Sequence, residues 1–215
     1  ISNDVDGSLK RGAEGTREEW LERLTVTTDA GAFAGLPLVV EAVPESMDLK
    51  VASFKKIADA SPEAVIATNT SSLSVSDLAL TVDNDVIGLH FFNPVPASKL
   101  VEIVVADSTP EPLVDEARGW VEALGKTPIV VKDAPGFASS RLGVVIALEA
   151  IRMVEEGVAS AQDIDNAMVL GYKFPVGPLA LTDIVGLDVR LGIAEYLAST
   201  LGDRFAPPQL MRDMV

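Results

Sequence analysis

The sequence predicts an α/β half followed by an all-helical half, and three observations carry that prediction. Short apolar runs alternate with helix-patterned segments as far as residue 133, the rhythm of a parallel sheet wound in βαβ units. The run LPLVVEAV is apolar on both faces from Leu38 to Ala42, as a strand covered by helices on either side must be. Beyond Asp133 no strand-like run recurs, so the chain divides into residues 1–132 and 133–215.

Taken in order, GTREEWLERL places Trp20, Leu21 and Leu24 among charges at helical spacing, and Thr16 with Glu19 has the spacing of a capping box. LTVTTD and LPLVVEAV follow as two short runs rich in Val, Thr or Leu. Helix SMDLKVASFKKIADA, strand AVIATN, helix SVSDLAL and strand DVIGLHFF continue the alternation, with Ser74 and Asp77 again at capping-box spacing. KLVEIVVA, helix PEPLVDEARGWVEALG and strand TPIVVKD complete the first half. In the second half APGFASSRLGVVIALEAIRMVEEG reads as one long apolar helix closed by Gly157. SAQDIDNAM opens on Ser160 and Asp163 at capping spacing, GYKFPVGP is a Gly/Pro turn, and LALTDIVGLDVRLGIAEYLASTLG supplies further helix.

Composition narrows the function classes. A net charge of −15 over 215 residues repels polyphosphate backbones and anionic lipid surfaces, so neither nucleic acid nor membrane is an expected partner. A few local donors can still hold an anionic cofactor. With no cysteine and one histidine, disulfides, thiolate catalysis and zinc sites are all disfavoured, and no metal is expected. No apolar stretch reaches the roughly 18–20 residues of a membrane span, and the first residues lack a signal-peptide pattern, so the expected location is cytoplasmic. The chain opens on Ile1 and not on Met, which reads as a fragment of a longer polypeptide.

In a parallel sheet, ligands bind beyond the C-terminal ends of the strands, so residues just past each apolar run are the first candidates. Three tips carry them: Glu41 and Glu45 in VVEAVPE, Asn69 and Ser71 in IATNTSS, His90 and Asn93 in IGLHFFN. Glu102 follows His90 by twelve positions inside the apolar KLVEIVV. If the loop through Pro94 and Pro96 folds that segment back, carboxylate and imidazole touch, which fixes the ring tautomer and favours its protonated form. The competing reading is a satisfied core histidine with Glu102 exposed on an edge strand. Glu45 and Lys50, five positions apart, read either as a solvated face or as ligands for a ribose hydroxyl. NTSS is either a helix-start turn or a hydroxyl donor toward a carbonyl. DAPGFASSR is a linker ending at a helix start, which favours a developing oxyanion if it faces the cleft.

Together, VVEAVPESMDLK, TNTSSLSVSDLA, GLHFFNPVPASKLVEIV, DAPGFASSRLG and FPVGPLALTDIVGLDV resemble in order and spacing the L-3-hydroxyacyl-CoA dehydrogenases, nearer the bacterial 3-hydroxybutyryl-CoA branch. The resemblance implies a Rossmann-like NAD domain, incomplete at its N-terminus, and a helical domain that forms a homodimer. It implies an acyl-CoA substrate, His90 as catalytic base and Glu102 as its orienting carboxylate. Ser71 corresponds to a hydroxyl touching substrate and cofactor, and Glu45, Lys50, Asn69 and Asn93 fall on the cofactor side.

The chain departs from the family at two motifs. No two glycines are spaced as GxG, so the family's phosphate-binding turn is expected to precede Ile1, and a glycine- and aromatic-rich tail to follow Val215. Ser140 stands before Arg141 where the family has Asn, and it is carried as a substrate contact. Two rival readings fit the sequence, a non-catalytic binding or structural relative and an oxidoreductase of free hydroxy acids or sugar alcohols.

Overall fold

The computed structural model describes residues 2–215. By internal contacts the chain forms two units, Ile1–Thr70 with Val75–Val131, and Ser71–Ser74 with Lys132–Val215.

The first unit is built on a five-stranded sheet in sequence order: β1 (Leu38–Glu41), β2 (Val65–Thr68), β3 (Val86–Phe91), β4 (Leu100–Val105) and β5 (Thr127–Lys132). β1, β2 and β3 are parallel, but β4 runs antiparallel to β3. The sheet is thus not parallel throughout, because eight residues separate β3 from β4 and a parallel connection needs a dozen or more. Ahead of the sheet lie α1 (Ser2–Lys10), which the sequence pattern did not reveal, and α2 (Arg17–Glu22). The capping box of α2 is present: Glu19 N donates to Thr16 Oγ1 at 3.2 Å and Thr16 N donates to the Glu19 carboxylate at 2.7 Å. The Thr16 amide, and then its hydroxyl, hold the Glu19 carboxyl below its ordinary value.

LTVTTD forms no strand, and Val26 within it is 82% exposed. β1 also differs from its reading as a strand covered on both faces. It ends the sheet, and Val40 remains exposed while Val39 is buried.

Three helices pack against this sheet: α3 (Met47–Ala60), α4 (Val75–Ala79) and α5 (Glu111–Ala123). α5 buries Leu113, Ala117 and Val121, a row at spacing four, against Ile87, Leu89, Val101 and Ile103. Each such aliphatic side chain contributes roughly 1.5–3 kcal/mol when fully buried. The buried row of α3 is Lys50, Phe54 and Ile57. A lysine therefore occupies the first position of a core-facing stripe.

The second unit is helical, with α6 (Ser139–Glu155), α7 (Ala161–Asn166), α8 (Pro178–Val185), α9 (Leu187–Leu201) and α10 (Gln209–Asp213). Its core joins Val144, Leu148 and Ile151 of α6 to Ala194, Leu197, Phe205 and Met211. α6 starts later than its apolar pattern suggests because Gly136 and Phe137 adopt positive φ of 74° and 49°. It closes at Glu156, with Gly157 at φ 69° as the sequence indicates. The final helical stretch is broken at Gly186, whose φ of 101° lets it end α8 and begin α9 at once. Ser160 caps α7 by accepting from Asp163 N, while its hydroxyl donates to the Asp163 carboxylate at 2.6 Å.

Arg190 lies on the inner row of α9 with Ala194 and Leu197. Burial pulls its guanidinium below the ordinary arginine range, and its Nε has no hydrogen-bond partner among the described residues. Among the described residues no helix is long and apolar enough to cross a membrane.

Candidate active site

The antiparallel return of β4 places His90 directly opposite Glu102 in the register of the β3/β4 pair. Side chains of directly opposed residues share a face at close Cβ separation. His90 Nδ1 and Glu102 Oε2 are 2.7 Å apart, with His90 4% and Glu102 0% exposed. Glu102 is thus on an interior strand between β3 and β5, and the edge-strand alternative does not hold. Its flanking residues Val101 and Ile103 belong to the apolar cluster under α5, so strand alternation sends the carboxylate to the opposite face. A buried carboxylate needs a hydrogen-bonded partner, and the imidazole supplies one. The Phe92 ring lies 4.5 Å from the imidazole, tilted by 49°.

Next to this pair, on the same face, Gly88 opposes Val104. A Cβ at Gly88 would stand 2.6 Å from Val104 Cβ and 3.2 Å from a Val75 methyl. We expect Gly88→Ala to destabilise the protein by roughly 1–3 kcal/mol, the usual cost of overpacking. Urea denaturation would measure this, and an unchanged midpoint would contradict the fit.

A second polar cluster occupies the C-terminal ends of β1 and β2. Glu41, the last residue of β1, is 3% exposed, and its carboxylate accepts from Lys50 Nζ at 2.9 and 3.2 Å. It also accepts from Thr68 Oγ1 at 2.7 Å and Val43 N at 2.6 Å. Lys50 Nζ further donates to Val43 O at 3.3 Å and lies 3.4 Å from Glu45 Oε2. Glu45 in turn accepts from Thr70 Oγ1 at 2.7 Å.

This corrects the solvated-face reading for Lys50, while Glu45 does stay exposed. Glu45 lies outside α3, immediately before its N-cap residue Ser46, so the two are not constrained to helical spacing. Lys50 is 1% exposed and its side chain reaches back under the strand ends, whereas the Glu45 side chain is 36% exposed. Glu41 was a visible strand-tip acid, but its pairing with Lys50 was not foreseen; an acid closing an apolar strand nine residues before a lysine in a buried helical row was the available signal.

Asn69 ties strand ends together: its amide N donates to Glu41 O at 2.8 Å, and its side-chain oxygen accepts from Phe91 N at 2.8 Å. That bond fixes the residue immediately after His90. Asn93 is exposed in the turn after β3, ahead of a cis bond to Pro94. Ser71 and Ser140 belong to the second unit, both half-buried, Ser71 in the turn after β2 and Ser140 in the first turn of α6. In that unit Ser74 Oγ donates to Asp133 Oδ2 at 2.8 Å.

The polar groups at the ends of β1 and β2 are carboxylates and hydroxyls around one ammonium. That set suits hydroxyl groups such as those of a ribose and gives no cradle for phosphate. A sheet with carboxylates and hydroxyls at the ends of β1 and β2 and a buried imidazole–carboxylate pair across β3 and β4 carries the kinds of group that a dinucleotide-linked oxidoreductase uses.

Comparison with known proteins agrees. The family model for the NAD binding domain of 3-hydroxyacyl-CoA dehydrogenase matches residues 1–134, and that for its C-terminal domain matches residues 136–215. The probable 3-hydroxybutyryl-CoA dehydrogenase of Deinococcus radiodurans is 42% identical over 202 residues, spanning 92% of this chain and 73% of the relative. Human mitochondrial hydroxyacyl-coenzyme A dehydrogenase is 42% identical over 192 residues, 87% of this chain and 61% of the relative. The crystal structure of (S)-3-hydroxybutyryl-CoA dehydrogenase PaaH1 from Ralstonia eutropha superposes with a TM-score of 0.92 at 36% identity, covering 99% of this chain and 77% of that one. The chain belongs to the 3-hydroxyacyl-CoA dehydrogenase family, and its first part is an NAD-binding domain.

Proposed function

We propose that the protein interconverts a short-chain (S)-3-hydroxyacyl-CoA, such as 3-hydroxybutyryl-CoA, and the corresponding 3-ketoacyl-CoA. The observation that carries this reading is the buried His90–Glu102 pair, since oxidation of an alcohol needs a group to take the hydroxyl proton as hydride leaves carbon. NAD, when bound, accepts the hydride. Glu102 holds a proton on Nδ1, which leaves the lone pair on Nε2 as the base. As Nε2 takes the substrate proton, the Glu102 charge stabilises the imidazolium, and in the reverse direction the same nitrogen returns the proton to the forming alkoxide.

Ser71 and Ser140 are assigned to the substrate, where a hydroxyl donor stabilises a carbonyl or alkoxide oxygen. A serine at 140 supplies one donor on a shorter side chain than asparagine. Glu45 is assigned to a ribose hydroxyl, with Lys50 acting on that site through Glu45, and Asn69 and Asn93 to the cofactor side. The small-acyl preference rests on the 3-hydroxybutyryl-CoA dehydrogenases among the relatives. We further place the reaction in the cytoplasm and the protein as a homodimer through its helical part, where Ile184 and Val189 leave apolar surface exposed at the α8–α9 corner.

The test is acetoacetyl-CoA-dependent loss of NADH absorbance with the complete polypeptide. Turnover of acetoacetyl-CoA, without turnover of acetoacetate, is the expected result. No oxidation of NADH would sink the reading in favour of a non-catalytic relative, and turnover of the free acid would favour a hydroxy-acid enzyme.

A further inference from the structure

Glu41 satisfies the description of a group held for its charge. Its two oxygens accept four hydrogen bonds, from Lys50 Nζ twice, Thr68 Oγ1 and Val43 N, and it is 3% exposed. A carboxylate so engaged has no oxygen to spare for a ligand. What it acts on is Lys50, whose position is unfavourable in two respects. The ammonium is withdrawn from water, and Lys50 stands at the fourth residue of α3, where the positive end of the helix dipole opposes a cation. Glu41 offsets both. Lys50 then reaches Glu45 Oε2 at 3.4 Å, and Thr70 Oγ1 holds the other Glu45 oxygen at 2.7 Å. Of the three residues Glu45 is the one that reaches solvent, its side chain 36% exposed against 1% each for Lys50 and Glu41.

We propose that Glu41 is a positioning residue for the cofactor site, acting through Lys50 to hold the Glu45 carboxylate outward for a hydroxyl-bearing ligand. The proposal rests on the reading of Glu45 as a ribose contact and adds the interior acid that makes that contact stiff. The logic is one of charge: one ammonium lies between two carboxylates, and the inner one supplies the shorter and doubled contact. With the inner charge removed, Glu45 is the remaining carboxylate that Lys50 contacts among the described residues and is drawn toward it, away from the ligand. The same change in a merely structural acid would alter stability and leave cofactor affinity alone.

The test compares Glu41→Gln, Lys50→Met and the double variant in the complete polypeptide, reading NADH affinity by titration calorimetry and KM for NADH alongside kcat. Glutamine keeps the length of the side chain and an acceptor for Val43 N or Thr68 Oγ1 while removing the charge. We expect Glu41→Gln to weaken NADH binding and raise its KM about tenfold, the usual worth of a charged hydrogen bond, with kcat at saturation within about twofold. In the Lys50→Met background, Glu41→Gln should add little further loss. NADH affinity unchanged by Glu41→Gln would overturn the proposal, as would losses in the double variant that simply multiply. Should the glutamine variant fail to fold, Glu41→Asp retains the charge one methylene further from Lys50 and should weaken NADH binding clearly less than Lys50→Met does; a loss as large as that of Lys50→Met overturns the proposal. Absence of NADH binding by the unmodified protein would instead remove the cofactor-site reading itself.

Discussion

His90→Asn is expected to lower kcat for acetoacetyl-CoA reduction by about 10²–10⁴, the usual worth of a positioned acid–base group. Asparagine is the informative replacement because of what surrounds the ring. Glu102 is fully buried, and its carboxylate lies 2.7 Å from Nδ1. His90→Leu would remove the hydrogen-bonding partner at Nδ1 together with the base, so lost turnover and lost support of the fold would coincide. An asparagine amide attached at the same carbon can place an N–H where Nδ1 stands and keep Glu102 paired. It has nothing at the position of Nε2. The variant therefore separates proton transfer from support of the fold: circular dichroism and the thermal midpoint should stay near those of the unmodified protein, and NADH affinity should change by less than about twofold, while turnover collapses. A folded His90→Asn enzyme with nearly normal kcat would take His90 out of the reaction.

The contrast between what was visible in the sequence and what was not follows from the range of the forces involved. The alternation of β1 to β3 with α3 and α4, the capping box of α2 and the glycine at 157 are local, and periodicity or cap chemistry reveals each. His90 and Glu102 were legible as a conditional pair. Their contact depended on a return of the chain through Pro94 and Pro96, and the structure makes that return antiparallel and in register. The Glu41–Lys50 pair left only a faint signal, because a strand-tip acid nine residues before a lysine in an apolar helical row does not by itself say that the lysine side chain will be pulled under the sheet. Phe54 and Ile57 share the lysine's helical row, so packing of the apolar neighbours carries Lys50 inward and the interior acid makes that position tolerable. LTVTTD fails as a strand for the complementary reason: β-propensity without a hydrogen-bonded neighbour makes no strand, and no ladder partner is found for it among the described residues.

Glu102→Gln tests the other half of the dyad and should cost nearly as much, about 10²–10⁴ in kcat. The side chain keeps its length and burial, so packing against β3 and β5 is preserved and the fold should melt within a few degrees of the unmodified protein. Two things change at Nδ1. A neutral amide no longer stabilises the imidazolium that forms when Nε2 takes the proton, and its NH₂ group can donate to Nδ1, which moves the ring proton to Nε2 and removes the base. A carboxylate cannot donate when ionised, so only the glutamate enforces the productive tautomer. The two contributions are separable with Glu102→Asp, which restores the charge but withdraws it by one methylene from a contact now at 2.7 Å. Aspartate should recover a substantial part of the lost turnover if charge and tautomer dominate. If instead glutamine is harmless, or aspartate is no better than glutamine, the carboxylate serves only to satisfy a buried ring, and proton transfer by His90 has to be explained without it.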